Sequence, residues 1–99
     1  MKVYISGQIS GLPMDKVKAK FEAAEFELEV DNFEPISPLK IHDNIENKTW
    51  ADFLAKDIEV LLKDCHGIYM LKDWGFSQGA RIEHAIALEF GMTIFFQGR

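Results

Sequence analysis

With a single cysteine, Cys65, no intrachain disulfide can staple this chain. No apolar run reaches the length needed to span a bilayer, and residues 1–7 enter a strand pattern at once, without the apolar core of a signal peptide. A cytoplasmic protein with no membrane partner is expected. Clustered Lys and Arg are also missing: 11 basic residues stand against 16 acidic ones, a net charge of -5, which disfavours a nucleic-acid polymer as partner. His42, His66 and His84 lack the tight spacing of a metal site, and Cys65 beside His66 offers only two ligands, so neither metal nor cofactor is expected. Internal repeats, low-complexity stretches and domain boundaries are absent as well, so residues 1–99 read as one domain.

What is present is the composition of a folded globular protein, 47% hydrophobic and 27% charged. At 99 residues the chain is near the low end of what buries a sizeable core alone, so a homodimer or higher homo-oligomer is expected. Lys2 to Ser6 alternates as a short strand and runs into a glycine-bracketed turn, GQISGLP. Between residues 13 and 30, Val17, Phe21, Ala24 and Leu28 recur at helical spacing, with Lys16, Lys20, Glu25 and Glu29 on the solvated side. Residues 33–36 give a brief strand whose Pro35 suits an edge. Residues 37–48 form a polar connection, after which Thr49 caps a helix beginning at Trp50 and running to about Lys63. GIYML at 67–71 suits a buried strand, residues 72–79 a loop, 80–90 a helix and 92–96 a last strand. The order βαβαβαβ predicts an α/β, Rossmann-like (flavodoxin-like) three-layer fold. Its four-stranded parallel sheet has the expected order 2-1-3-4, with ligands bound at the carboxyl ends of the strands.

Two carboxylates stand out because both face inward. Glu83 lies on one helical stripe with Ala80, Ala87 and Phe90, just after a glycine-containing loop. Asp57 lies within the stripe of Trp50, Phe53, Leu54, Ile58, Leu61 and Leu62, four residues from both Phe53 and Leu61. A buried carboxylate is costly unless it has a partner or a function.

The ordered set YISGQISG, WADFLAKD, CHGIYML, DWGFSQGARIEHA and GMTIF resembles the nucleoside 2-deoxyribosyltransferase superfamily, and more closely its compact branch of small domains. The resemblance covers nearly the whole chain. It implies a Rossmann-like fold and cleavage or transfer of the N-glycosidic bond of a (deoxy)nucleoside or its monophosphate. It further implies Glu83 as nucleophile, Tyr4 as its hydroxyl partner, Asp57 as the carboxylate that handles the base, and Ser77 as a ligand for the sugar or 5'-phosphate. The chain departs from this branch at Gln8, where Gly-Pro is common in the first loop, and at His66, where an acidic residue is frequent.

The chemistry fits those residue types. An oxocarbenium-like state can be stabilised and trapped by one carboxylate while an acid protonates the departing base. Ser6, Gly7, Ser10 and Gly11 in the first loop, with Ser77 and Gly79 before the third helix, are candidates to bind the sugar or a phosphate through hydroxyl and backbone N–H groups. Trp74 is the candidate to stack on a base; Trp50, on the packing stripe, is expected in the core. Each residue has an ordinary structural reading as well. Glu83 could serve the helix dipole, Asp57 a lysine pair or backbone bonds, Ser77 a turn or cap, and Tyr4 core packing. The alternative function is a non-catalytic nucleotide-binding module of the same fold, acting as a sensor or sequestering protein.

Overall fold

The computed structural model describes residues 1–42 and 48–98. Four parallel strands, β1 (Lys2–Ser6), β2 (Glu34–Ile36), β3 (Gly67–Met70) and β4 (Thr93–Phe96), form one sheet in the order β2-β1-β3-β4. Three helices connect them: α1 (Met14–Val30), α2 (Trp50–Asp64) and α3 (Gln78–Glu89). Single 3-10 turns occupy Pro38–Lys40 and Trp74–Phe76. This is the expected three-layer α/β arrangement. Among the described residues, no helix is long and apolar enough to cross a membrane.

Strand alternation divides the core and thereby aims the site. Val3 and Ile5 point to one face of the sheet, where they pack with Val17, Phe21, Ala24 and Leu28 of α1. Tyr4, one residue out of phase with Val3 and Ile5, points to the second face and joins Leu61, Ile68, Met70, Ala80 and Ala87 under α2 and α3. Ser6 follows Tyr4 by two and shares that face. The order 2-1-3-4 reverses the winding direction between β1 and β3, so their carboxyl ends open into a crevice.

Helix ends explain where boundaries differ from the sequence pattern. Ser77 accepts a hydrogen bond from the Ala80 N–H at 3.1 Å, which starts α3 at Gln78 and not at Ala80. Thr49 and Asp52 form a reciprocal capping box at α2. Asn32, at φ 64, takes the left-handed conformation that turns the chain out of α1 into β2.

Several side chains sit elsewhere than their patterns suggest. Trp50, the first residue of α2, is 49% exposed and is not in the core. On α2, Leu61 alone is fully buried. Phe90, the last position of the Glu83 stripe, is 67% exposed at the C-terminus of α3. Lys20, expected in solvent, is drawn in by Asp73, as described below.

Candidate active site

Glu83 lies in the second turn of α3, close to where Ala80 and Ala87 seat that helix on the sheet. It is buried, at 5% exposure, and both carboxylate oxygens have hydroxyl partners. Tyr4 donates to Oε2 and Ser6 to Oε1, each at 2.7 Å. The two donors come from the i and i+2 positions of β1, so strand geometry itself sets them side by side under the carboxylate. Burial pushes the Glu83 pKa up to about 7. The two hydroxyl bonds pull it down, and the nearby Asp57 charge adds to the rise. Burial first, then Glu83 and Asp57, raise the Tyr4 hydroxyl well above the usual phenol range, so it remains a donor.

Asp57 reaches the same crevice from the middle of α2. Burial raises its pKa to about 7, offset in part by the Tyr4 hydroxyl. Its Oδ1 lies 2.7 Å from Nε2 of His42, in the connection that precedes α2. The imidazole packs edge-on against Phe53, with ring centroids 4.8 Å apart. Burial, then the charges of Lys56 and Lys48, lower the His42 pKa and so disfavour the charged imidazole in this contact.

Tyr4, Asp57 and Glu83 line one open cavity of about 550 Å³. Gly7, Ser10, Ser77 and Gly79 line it too. Ser6 contributes from beneath through Glu83. Gly7 is required by contact, since a Cβ there would stand 2.7 Å from Leu71 Cδ1. Gly11, at φ +87, turns the chain towards α1 but does not line the cavity. Ser77 holds the N-cap of α3, and because its oxygen accepts there, its hydroxyl proton stays available to a ligand.

Trp74 is placed outside the cavity. Its ring stacks on His84 with centroids 4.5 Å apart and lies near Phe96. The aromatic wall is formed instead by Trp50 and Phe53, with Leu54, Leu39, Ile9 and Met14. Lys18 and His42 bring basic side chains to the lining. Neither carried a recognisable signal in the sequence, although Lys18 lies one helical turn after Met14.

The loops around the cavity are tied together by one charged network. Lys20 of α1 donates to Asp73 at 2.6 Å and also to the Gln8 carbonyl, and the Gln8 N–H donates to the second Asp73 oxygen at 3.1 Å. Among the described residues, no group of three or more His, Cys, Asp or Glu is positioned to hold a metal ion.

A family model for a domain of unknown function, DUF4406, matches residues 1–96. The chain belongs to the DUF4406 family. No curated protein matches it in sequence. In the solved structures, the DUF4406 domain resembles the 2-desoxiribosyltransferase from Leishmania mexicana, with a TM-score of 0.69 and 19% identity, over 96% of this chain and 62% of that one. The likeness is one of fold, and the DUF4406 domain spans less than two thirds of that protein's length.

Proposed function

We propose that this protein cleaves or transfers the N-glycosidic bond of a (deoxy)nucleoside or nucleoside monophosphate, with Glu83 as nucleophile. The observation that carries the reading is the buried Glu83 carboxylate, gripped by Tyr4 and Ser6 at 2.7 Å each, in a cavity that Asp57 also lines. Support also comes from the likeness of the fold to a 2-desoxiribosyltransferase.

The two carboxyl groups divide the chemistry. One Glu83 oxygen attacks C1' as the C1'–N bond breaks, while its hydroxyl partners fix the direction of attack. Asp57, whose pKa burial raises to about 7 so that a share of it is protonated near neutrality, gives its proton to the departing base. Water or a second base then attacks C1' of the glycosyl-enzyme, returns a proton to Asp57 and frees Glu83. Trp50 and Phe53 supply flat apolar surface for the base. Ser10, Ser77, Gly7 and Gly79 provide hydroxyl and backbone donors for the sugar side, which Lys18 extends to a 5'-phosphate.

Association between copies of the chain belongs to the same reading. Trp50 and Phe90 leave large apolar surface exposed on α2 and beyond α3, and Trp50 also lines the cavity. A homodimer or higher homo-oligomer covers that surface.

The test is a screen of nucleosides and their monophosphates for released base, with and without an acceptor base, on wild type and Glu83→Gln. Release that depends on Glu83 supports the reading. Saturable binding with no release from any nucleoside replaces it with a binding module.

A further inference from the structure

His42 lies outside every sequence motif, yet it is joined to the second carboxylate of the site. Its Nε2 is 2.7 Å from Asp57 Oδ1, both side chains are almost buried, and its ring is held edge-on by Phe53. We propose that His42 is the positioning residue for Asp57: it fixes the carboxyl rotamer through Oδ1 and sets how tightly Asp57 holds its proton. The inference deepens the glycosidic reading, since it assigns the control of the acid in that same site.

The geometry has a direct chemical consequence. A neutral imidazole with Nε2–H donates to Oδ1 and leaves Oδ2 as the oxygen for a ligand. When Asp57 gives its proton through Oδ2 to the base nitrogen, the electron pair of the C1'–N bond goes to that nitrogen and Asp57 becomes a carboxylate. The Nε2–H bond remains in place and stabilises this anion without moving a second proton. On the return step, water loses a proton to Oδ2 as its oxygen joins C1'. His42 ends each cycle in the tautomer in which it began.

Other charges reach the pair from each side. Tyr4 approaches Asp57 from β1, Glu83 lies across the cavity on α3, and Lys56 and Lys48 act on His42 from α2 and the segment before it. The two lysines favour the neutral imidazole, which suits a donor that is not to compete for the proton. Coupling between His42 and Asp57 must therefore be separated from these neighbours by reciprocal substitution.

The experiment is an NMR titration of the intact protein that follows the His42 imidazole and the Asp57 carboxyl carbon, with His66 and His84 as internal references. In His42→Phe the Asp57 midpoint is expected to rise by about half a unit or more, because a donor to the carboxylate is lost. His42→Gln, which keeps an N–H at the same reach, returns it towards wild type. Asp57→Asn displaces the His42 midpoint while leaving His66 and His84 unchanged. Base release, measured as a pH profile, moves its basic limb upward in His42→Phe by the same amount. An Asp57 midpoint that stays at its wild-type position in His42→Phe, together with a His42 midpoint that stays in place in Asp57→Asn, overturns the proposal, even if wild type releases base. Coupled titration in a protein that releases no base from any nucleoside upholds the dyad and defeats the glycosidic reading alone.

Discussion

Lys20 and Asp73 meet at 2.6 Å across the carboxyl end of the sheet, joining α1 to the loop after β3. The same ammonium group bonds the Gln8 carbonyl, so one side chain holds both loops that frame the cavity. Lys20→Met removes two donors at once and leaves Asp73 with the Gln8 N–H alone. A loss of about 1–3 kcal/mol in urea unfolding is expected. KM should rise by more than kcat falls, because the loops position the ligand and not the reacting oxygen. Unaltered stability and KM would show that the first loop holds its shape without this tie.

Glu83→Gln or Glu83→Ala is expected to abolish base release, by a factor of about 1,000 or more, with ligand affinity largely kept. Glu83→Gln preserves the shape between Tyr4 and Ser6, so single-turnover measurements on it report chemistry and not collapse of the site. Wild-type release by this variant would remove Glu83 from the mechanism.

Stability should change with pH through the same residue. The folded-state pKa of Glu83 is raised, from 4.5 to about 7, so its contribution is fully present below about pH 4.5 and is lost as pH climbs through 7. At pH 8 the wild type carries a buried charge worth roughly 3 kcal/mol of destabilisation. Glu83→Gln should therefore melt higher than wild type at pH 8, while the two converge near pH 4. Parallel melting curves across that range would contradict the burial argument.

Base release requires ionised Glu83 and protonated Asp57, two groups whose pKa values both lie at about 7. The expected pH–rate profile is a narrow bell centred near 7, whose two limbs belong to the coupled pair and not to either residue. Asp57→Asn should flatten the basic limb and lower the rate most for bases that need protonation to leave. Equal losses for activated and natural leaving groups would exclude Asp57 as the acid.

Sedimentation equilibrium at micromolar concentration tests association. A dimer or higher oligomer is expected, and Trp50→Glu, which places charge on exposed apolar surface, should weaken it by tenfold or more. A fully active monomer would defeat the expectation.

The strand and helix order was legible because hydrophobic period changes cleanly between 2 and 3.6 along the chain, and the buried Glu83 was legible because Ala80 and Ala87 bracket it at helical steps. Tyr4 and Ser6 also follow from period, since two residues apart on a strand means one face. Trp50 lies on the apolar stripe but at the first position of α2, where it lines the cavity and stays half exposed, and periodicity does not separate a cavity wall from a core. Trp74 was placed in a loop by pattern, and a loop pattern says nothing of direction; its ring turned to His84. His42 lies in a connection with no period at all, so nothing in the sequence pattern brings it to Asp57, 15 positions further on.

Gly7 and Gly79 both border the cavity, but they differ in what lies behind them. A methyl group at Gly7 would meet the buried Leu71 side chain at 2.7–3.0 Å, whereas at Gly79 it would find Trp50 and Leu54 at 3.8 and 3.9 Å. The floor of the site is thus the outer wall of the core, while its rim is loosely bounded. Substrate range in this fold can drift by accumulating changes at Gly79, Trp50, Leu54 and Met14, each reachable without repacking the interior. The floor has no such neutral paths, so diversification of the pocket is channelled to one side of it.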